Sequence, residues 1–302
     1  MKPTYIDLQV NGHGGVDLLS AKTADDVRVV SRSLFQHNVA GYLPTIISSS
    51  LNAALTAIEL IEEVRKNPKS KEALILGTHL EGPFISKDRA GVHPSDSIVS
   101  ANMDHLVQLV KAGVIKQVTI APEVPGALDL IRFLVQKNIV VSLGHSNATL
   151  SQANLGFDAG AKSVTHLFNA MPKLVNEGLV AASLARSNIV IQIIADGVHV
   201  SNELLSEVLP QIMNRFIITN DAVAAAGLGT GKFNFGSIDV TVIDGQARSS
   251  DGKLAGGIAS MEESIKILTK LGVPQKQALA SATTRPCELL GISYSSVINH
   301  FN

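Results

Sequence analysis

From Tyr5 onward, short aliphatic and β-branched runs alternate with longer stretches whose apolar positions recur every three to four residues. The runs Tyr5–Val10, Gly41–Ile47, Ala73–Leu80, Gln117–Ala121, Ile139–Leu143, Ser163–His166, Ile189–Ile194 and Phe216–Thr219 predict strands buried on both faces. Between them, Ala24–His37, Leu51–Arg65, Met103–Ala112, Ala127–Gln136, Leu150–Ala159, Leu179–Arg186 and Asn202–Met213 carry helical spacing, as in Val27, Val30 and Leu34 of the first. Eight strands, each but the last followed by a helix, predict one (β/α)8 barrel of the TIM type over residues 1–302. An open doubly wound sheet is disfavoured, because QVNGHGGVD after the first strand lacks both the dinucleotide glycine spacing and an immediate helix.

The period changes beyond Asp221. Gly227–Gly231 reads as a flexible loop and Phe235–Ala247 as a hairpin turning at Asp244–Gly245, which makes 227–257 an excursion after strand eight. Glu262–Leu271 and Gln275–Leu290 read as helices that close the barrel, within 258–290.

The polar exceptions to the apolar pattern collect at strand ends. Gln9, Glu81, His145, His166, His199 and Asp221 each stand there, most of them just ahead of Gly, Asn or Pro. In a parallel barrel such residues meet at one mouth, where active sites form. A catalytic zinc site takes about three protein ligands and keeps an open position, and a carboxylate with two imidazoles supplies that set. His145 and His166 are two of the candidates. The third is open between His79 and Glu81, which lie two apart and share a strand face. Asp221, ending the strand beside the first, stands where a general base belongs, and metal with base implies hydrolysis of an amide or ester. GLGTGKF at 227–233 lacks the glycine spacing of a phosphate loop and has Phe233 after Lys232 where Ser or Thr is needed.

Composition narrows the partners. A net charge of −1 gives no broadly basic surface for nucleic acid, which leaves small molecules as the expected partners. No segment approaches the roughly 18 apolar residues of a membrane span, and no signal-type leader precedes the first strand. The lone Cys287 cannot form an internal disulfide, so the cytoplasm is the expected compartment.

Taken together, QVNGHGG, HLEGPF, AGVHP, APE, GHSNAT, THLFNAMP, ADGVHV, TNDA and LAGG resemble, in order, the N-acetylglucosamine-6-phosphate deacetylases of the amidohydrolase superfamily. The resemblance implies removal of acetate from an N-acetylated hexosamine phosphate. It implies Glu81, His145 and His166 as ligands of a divalent metal, most simply Zn2+, and Asp221 as the catalytic acid/base. His93, beside Val92 at the acetamide, would polarise the scissile carbonyl, while Asn169, Ala170 and His199 would contact the sugar phosphate and Leu254, Ala255 and Gly256 would line the far wall. A homodimer is also implied.

Three departures qualify these expectations. Gln9 and Asn11 stand where many superfamily members carry a His-x-His pair; neutral amides are poor zinc ligands, so one metal per subunit is expected, with His13 a possible substitute ligand. An Arg that helps hold phosphate in the family is missing between Lys173 and Gly178, which favours a different isomer, an unphosphorylated substrate or another N-acyl amide; a non-catalytic amino-sugar-binding barrel is the remaining alternative. The family's small β-domain, built from both chain ends, has no counterpart in these residues.

Overall fold

The computed structural model describes residues 3–301. In chain order, β1 (Tyr5–Val10) passes through a small hairpin, β2 (Gly12–His13) and β3 (Val16–Asp17), to α1 (Ala24–Gln36). Then follow β4 (Val39–Ile47), α2 (Leu51–Lys66), β5 (Leu74–Ile75), β6 (Thr78–Glu81), α3 (Met103–Ala112), β7 (Ile115–Ile120), α4 (Ala127–Gln136), β8 (Val140–Leu143) and α5 (Leu150–Asp158). The second half runs β9 (Ser163–Val164), α6 (Gly178–Ala185), β10 (Val190–Ile193), α7 (Asn202–Ile212) and β11 (Phe216–Ile218). An antiparallel sheet of β12 (Gly231–Phe235), β13 (Ile238–Ile243) and β14 (Gln246–Ser249) precedes α8 (Met261–Lys270), α9 (Gln275–Ser281), α10 (Thr284–Leu290) and α11 (Tyr294–Asn299).

The barrel strands pair in parallel in the order β1-β4-β6-β7-β8-β9-β10-β11, so the expected TIM-type barrel forms. The ladder stops short of full closure. Between β11 and β1 the seam is sewn by a bridge from Val10 to Ala222 and by the bonds around it: Asn11 N–H to Ala222 O at 2.7 Å and Ala222 N–H to Gln9 O at 3.2 Å.

Polar and apolar side chains both fill the barrel. On β1, whose pairing with β4 is interrupted by register shifts, Ile6 and Leu8 join a buried apolar cluster with Leu43, Val140, Ile217, Cys287 and Leu290, while Asp7 and Gln9 are fully buried polar residues. The polar groups of the interior are hydrogen-bonded: Thr119 Oγ1 lies 2.7 Å from Thr165 Oγ1 and 2.8 Å from His79 Nε2, and Gln192 Nε2 donates to Gln117 Oε1 at 3.0 Å. The main apolar core lies outside, between strands and helices.

Several elements differ from the sequence expectation. Ala73–Leu80 is two strands, because Gly77 takes φ +141 and breaks the run between β5 and β6. The histidine expected to end the strand Ser163–His166 falls outside it, since His166 takes φ +31 and β9 ends at Val164. Gly231 opens a strand rather than closing a flexible loop, its alternation carried by Phe233 and Phe235. The single helix expected at Gln275–Leu290 divides at Ala282–Thr283, and Pro286 falls in the first turn of the second piece, where its missing N–H is harmless.

Asp7 adds a pH-dependent element at the seam. Its Oδ1 accepts from Thr219 Oγ1 at 2.7 Å and from Gln9 N–H at 3.1 Å, and its Oδ2 is buried without a partner among the described residues. Burial pushes its pKa up to about 7. The folded state thus holds this proton more tightly than the unfolded chain, and stability falls as pH rises from near 4 to about 7. Asp7→Asn is expected to raise the melting temperature at pH 8, by the equivalent of a few kcal/mol, and to have little effect at pH 4. Melting curves at the two pH values check this; equal changes at both would refute it.

Candidate metal centre

Glu81 closes β6, and the backbone turns sharply just past β8 and β9 to present His145 at φ +47 and His166 at φ +31. Such left-handed backbone is costly for a non-glycine residue and persists only where the surroundings hold it. The three side chains meet: Glu81 Oε1 lies 3.1 Å from His145 Nε2 and 2.9 Å from His166 Nε2, and the two imidazole nitrogens are 3.1 Å apart. His79 does not join them. One layer deeper on the same face, it is spent on Thr119 and Thr45. His13 is also elsewhere, with Nδ1 2.8 Å from Ser33 Oγ and its ring against His37.

The donor chemistry of this cluster fits a divalent cation. His145 Nδ1 donates to Arg89 O at 2.9 Å, which leaves its Nε2 lone pair aimed at the Glu81 oxygen and at His166. One proton satisfies only one of these contacts, whereas a cation at their centre satisfies all three. The charge balance agrees. Burial works to raise the Glu81 carboxyl, yet its imidazole neighbours hold it well below the usual range, and the same contact raises His166 against the effect of its burial. Glu81, His93 and His145 also form a group whose ligand atoms all lie within 4.8 Å.

His93 is set differently from the other two imidazoles. Its Nδ1 accepts from Ser48 N–H at 3.3 Å and lies 2.8 Å from Ser48 Oγ, so its Nε2 carries the hydrogen, 3.7 Å from Glu81 Oε2. Burial, reinforced by the His145 ring, lowers its pKa to about 4, and the ring is a neutral donor at pH 7.

Asp221, at φ +49, stands three residues past β11. Its Oδ1 accepts from Asn11 Nδ2 at 2.7 Å and Gln9 Nε2 at 2.9 Å, and the same Gln9 amide donates to Glu81 Oε1 at 2.8 Å. Of the two amides that sequence reasoning dismissed as poor ligands, Gln9 thus bridges the two carboxylates and Asn11 donates to Asp221 alone. Burial and the Glu81 charge raise the pKa of Asp221.

A cavity of about 200 Å³ opens over this cluster, lined by Glu81, Val92, His93, His145, His166, Asn169, Ala170, Lys173, His199, Asp221, Phe235, Leu254 and Gly256 among others. Ala255 departs from expectation: its methyl is fully buried in the apolar cluster with Val223, Phe235 and Val240 behind the wall. Sequence reasoning also missed Asp196, whose Oδ2 lies 2.7 Å from His199 Nδ1 and whose Oδ1 accepts from the backbone N–H of Val198 and His199. The signal was present in ADGVHV, an acid three residues ahead of the histidine in a loop.

The sequence matches the model of the amidohydrolase family over residues 1–300. The chain belongs to the amidohydrolase family. Among its relatives in this hydrolase family, N-acetylgalactosamine-6-phosphate deacetylase of Escherichia coli O157:H7 is 33% identical over 96% of this chain and 78% of that protein. N-acetylglucosamine-6-phosphate deacetylase of Caenorhabditis elegans is 34% identical over 97% of this chain and 74% of that protein. A crystal structure of N-acetylglucosamine-6-phosphate deacetylase from Pasteurella multocida superposes with a TM-score of 0.90 at 32% identity, covering 96% of this chain and 77% of that one. The amidohydrolase family is metal-dependent, and this member has a Glu/His/His group positioned for a metal. No helix among the described residues is long and apolar enough to cross a membrane.

Proposed function

We propose that this amidohydrolase removes acetate from the amide of an N-acetylated amino sugar phosphate, N-acetylglucosamine 6-phosphate or an isomer of it. The observation that carries the reading is the meeting of Glu81, His145 and His166 around one point, with Asp221 tied to Glu81 through the Gln9 amide. The relatives named above supply the substrate class.

Glu81, His145 and His166 would hold one divalent ion per subunit, zinc by their nitrogen and oxygen donors. When bound, the ion supplies Lewis acidity, acidifying water and polarising the acyl oxygen. Asp221, its pKa raised by burial and by the Glu81 charge and its carboxylate oriented by two amides, takes a proton from the attacking water and returns it to the departing amine. The neutral Nε2–H of His93 donates to the acyl oxygen as negative charge grows there. His199, held by Asp196, together with Asn169, Ala170, Leu254, Gly256 and Val92, shapes the sugar-binding wall. The same chain forms one barrel domain with the β12–β14 sheet as an excursion after the eighth barrel strand. A reducing compartment such as the cytoplasm suits the buried, unpaired Cys287. The homodimer that the resemblance implies is tested by light scattering.

The decisive experiment is acetate release by zinc-loaded protein from N-acetylglucosamine 6-phosphate, its galactosamine isomer and the unphosphorylated sugars. Turnover restricted to a phosphorylated sugar supports the reading. No release from any of them, with zinc bound, refutes it.

One feature favours a second reading, hydrolysis of a different N-acyl amide. Lys173 is the sole Lys or Arg lining the cavity among the described residues, with Nζ 3.5 Å from His199 O. A lysine is a point charge without the bidentate fork of arginine. If it binds phosphate, Lys173→Ala is expected to raise KM for the phosphorylated sugar by about tenfold, the value of one charge-assisted hydrogen bond. An unchanged KM would move the phosphate elsewhere or favour the second reading.

A further inference from the structure

Glu123, in the APE segment just past β7, has no role in the chemistry above, yet its carboxylate is fully engaged. Oε2 accepts from Ser146 Oγ at 2.8 Å and Oε1 accepts from Asn147 N–H. The Asn147 side-chain oxygen in turn accepts from Arg89 Nε at 3.0 Å and Nη2 at 2.9 Å. Arg89 closes the circuit with its own carbonyl, which takes the Nδ1 hydrogen of His145 at 2.9 Å. Beside this ring, Ser86 N–H donates to His145 O at 2.9 Å and Ser146 N–H to Ala170 O at 3.1 Å.

We infer that Glu123, Asn147 and Arg89 form a clamp that presents His145 to the metal. These are positioning residues; none of them lines the cavity over the cluster. The need for a clamp is visible in the backbone, because His145 takes φ +47, a conformation that the chain holds only under external constraint. The clamp works on two properties at once. It pins the loop after β8 to the end of β7 and to the segment after β6, which fixes where the ring stands. Through the Arg89 carbonyl it also selects the tautomer with hydrogen on Nδ1, leaving the Nε2 lone pair free to ligate a metal. His166 makes the contrast, since its Nδ1 is buried without a hydrogen-bond partner among the described residues. Of the two imidazoles, only His145 is oriented from behind in this way.

This inference rests on His145 being a ligand, as proposed above, and its test reads properties other than turnover. Zinc affinity of the metal-stripped protein is measured by competition with a chromophoric chelator for the parent, Glu123→Gln, Arg89→Ala and the double variant. The His145 tautomer in the metal-free proteins is read by 15N NMR. Each single variant is expected to bind zinc about tenfold to a hundredfold more weakly, with metal-free melting close to the parent. The double variant is expected to lose little more than either single one, because both break one circuit. The His145 ring is expected as the Nδ1–H tautomer in the parent and as a mixture in the variants. Unchanged zinc affinity, additive losses or an unaltered tautomer would each overturn the clamp. Failure of the parent to release acetate would sink the proposed reaction while leaving both of these readouts intact.

Discussion

Asp221→Asn is expected to lower kcat about a thousandfold, within the range that a positioned acid/base contributes, while the protein keeps its metal. The substitution suits the question because it is nearly isosteric. Gln9 Nε2 and Asn11 Nδ2 both donate to Asp221 Oδ1, and an asparagine carbonyl can accept from the same two donors. What disappears is the capacity to gain and lose a proton. Burial and the charge of Glu81 both raise the pKa of this carboxyl, toward the range where a group can serve as base and then as acid in one cycle. Steady-state kinetics with the preferred substrate, alongside zinc content of the same preparation, is the measurement. Near-normal turnover would remove Asp221 from the acid/base role.

Glu81→Gln is expected to remove both metal and activity, a different signature. Glu81 is the hub of the cluster: one oxygen meets His145, His166 and the Gln9 amide, and the other faces His93. The carboxylate is buried, and the imidazoles hold it ionised. Withdrawing one charge from a buried ionic group costs on the order of 3–5 kcal/mol, a factor near 10³ in zinc affinity. Chelator competition on the stripped variant checks this. Parent-like zinc affinity would mean that the ligands lie elsewhere, with His93 the first to reconsider because it shares the group with Glu81 and His145.

The strand periodicity and the strand-end residues were legible because both obey rules of residue type. Buried parallel strands read as apolar runs, and Glu81, His145, His166 and Asp221 stand out as polar residues at or just beyond their carboxyl ends. The structure brings these residues to one mouth because consecutive parallel strands carry their carboxyl ends to the same side. What was hidden is mostly relational. Nothing in Gln9 signals that its amide lies between two carboxylates 72 and 212 residues away, or in Asn11 that its amide meets the second of them. Ser48 gives no sign that it orients His93, from 45 residues earlier in the chain. A glycine-rich stretch reads as a loop whatever sheet its few aromatic residues join, which is why β12 was missed. Gly77 could have been read as a strand break, but a lone glycine inside an apolar run is ambiguous until its φ is known.

The unladdered seam between β11 and β1 has a consequence for how the molecule fails. Asp221 follows one side of this join, and Gln9 and Asn11 stand on the other, so the hydrogen bonds that orient the proposed acid/base also help to hold the hoop shut. Seven other strand junctions keep their own ladders, and none of them depends on these amides. A brief parting at this join would separate Asp221 from Glu81, His145 and His166 while leaving most of the scaffold standing. If Asp221 is the acid/base proposed, activity is expected to be lost through local breathing at this join before the barrel as a whole comes apart.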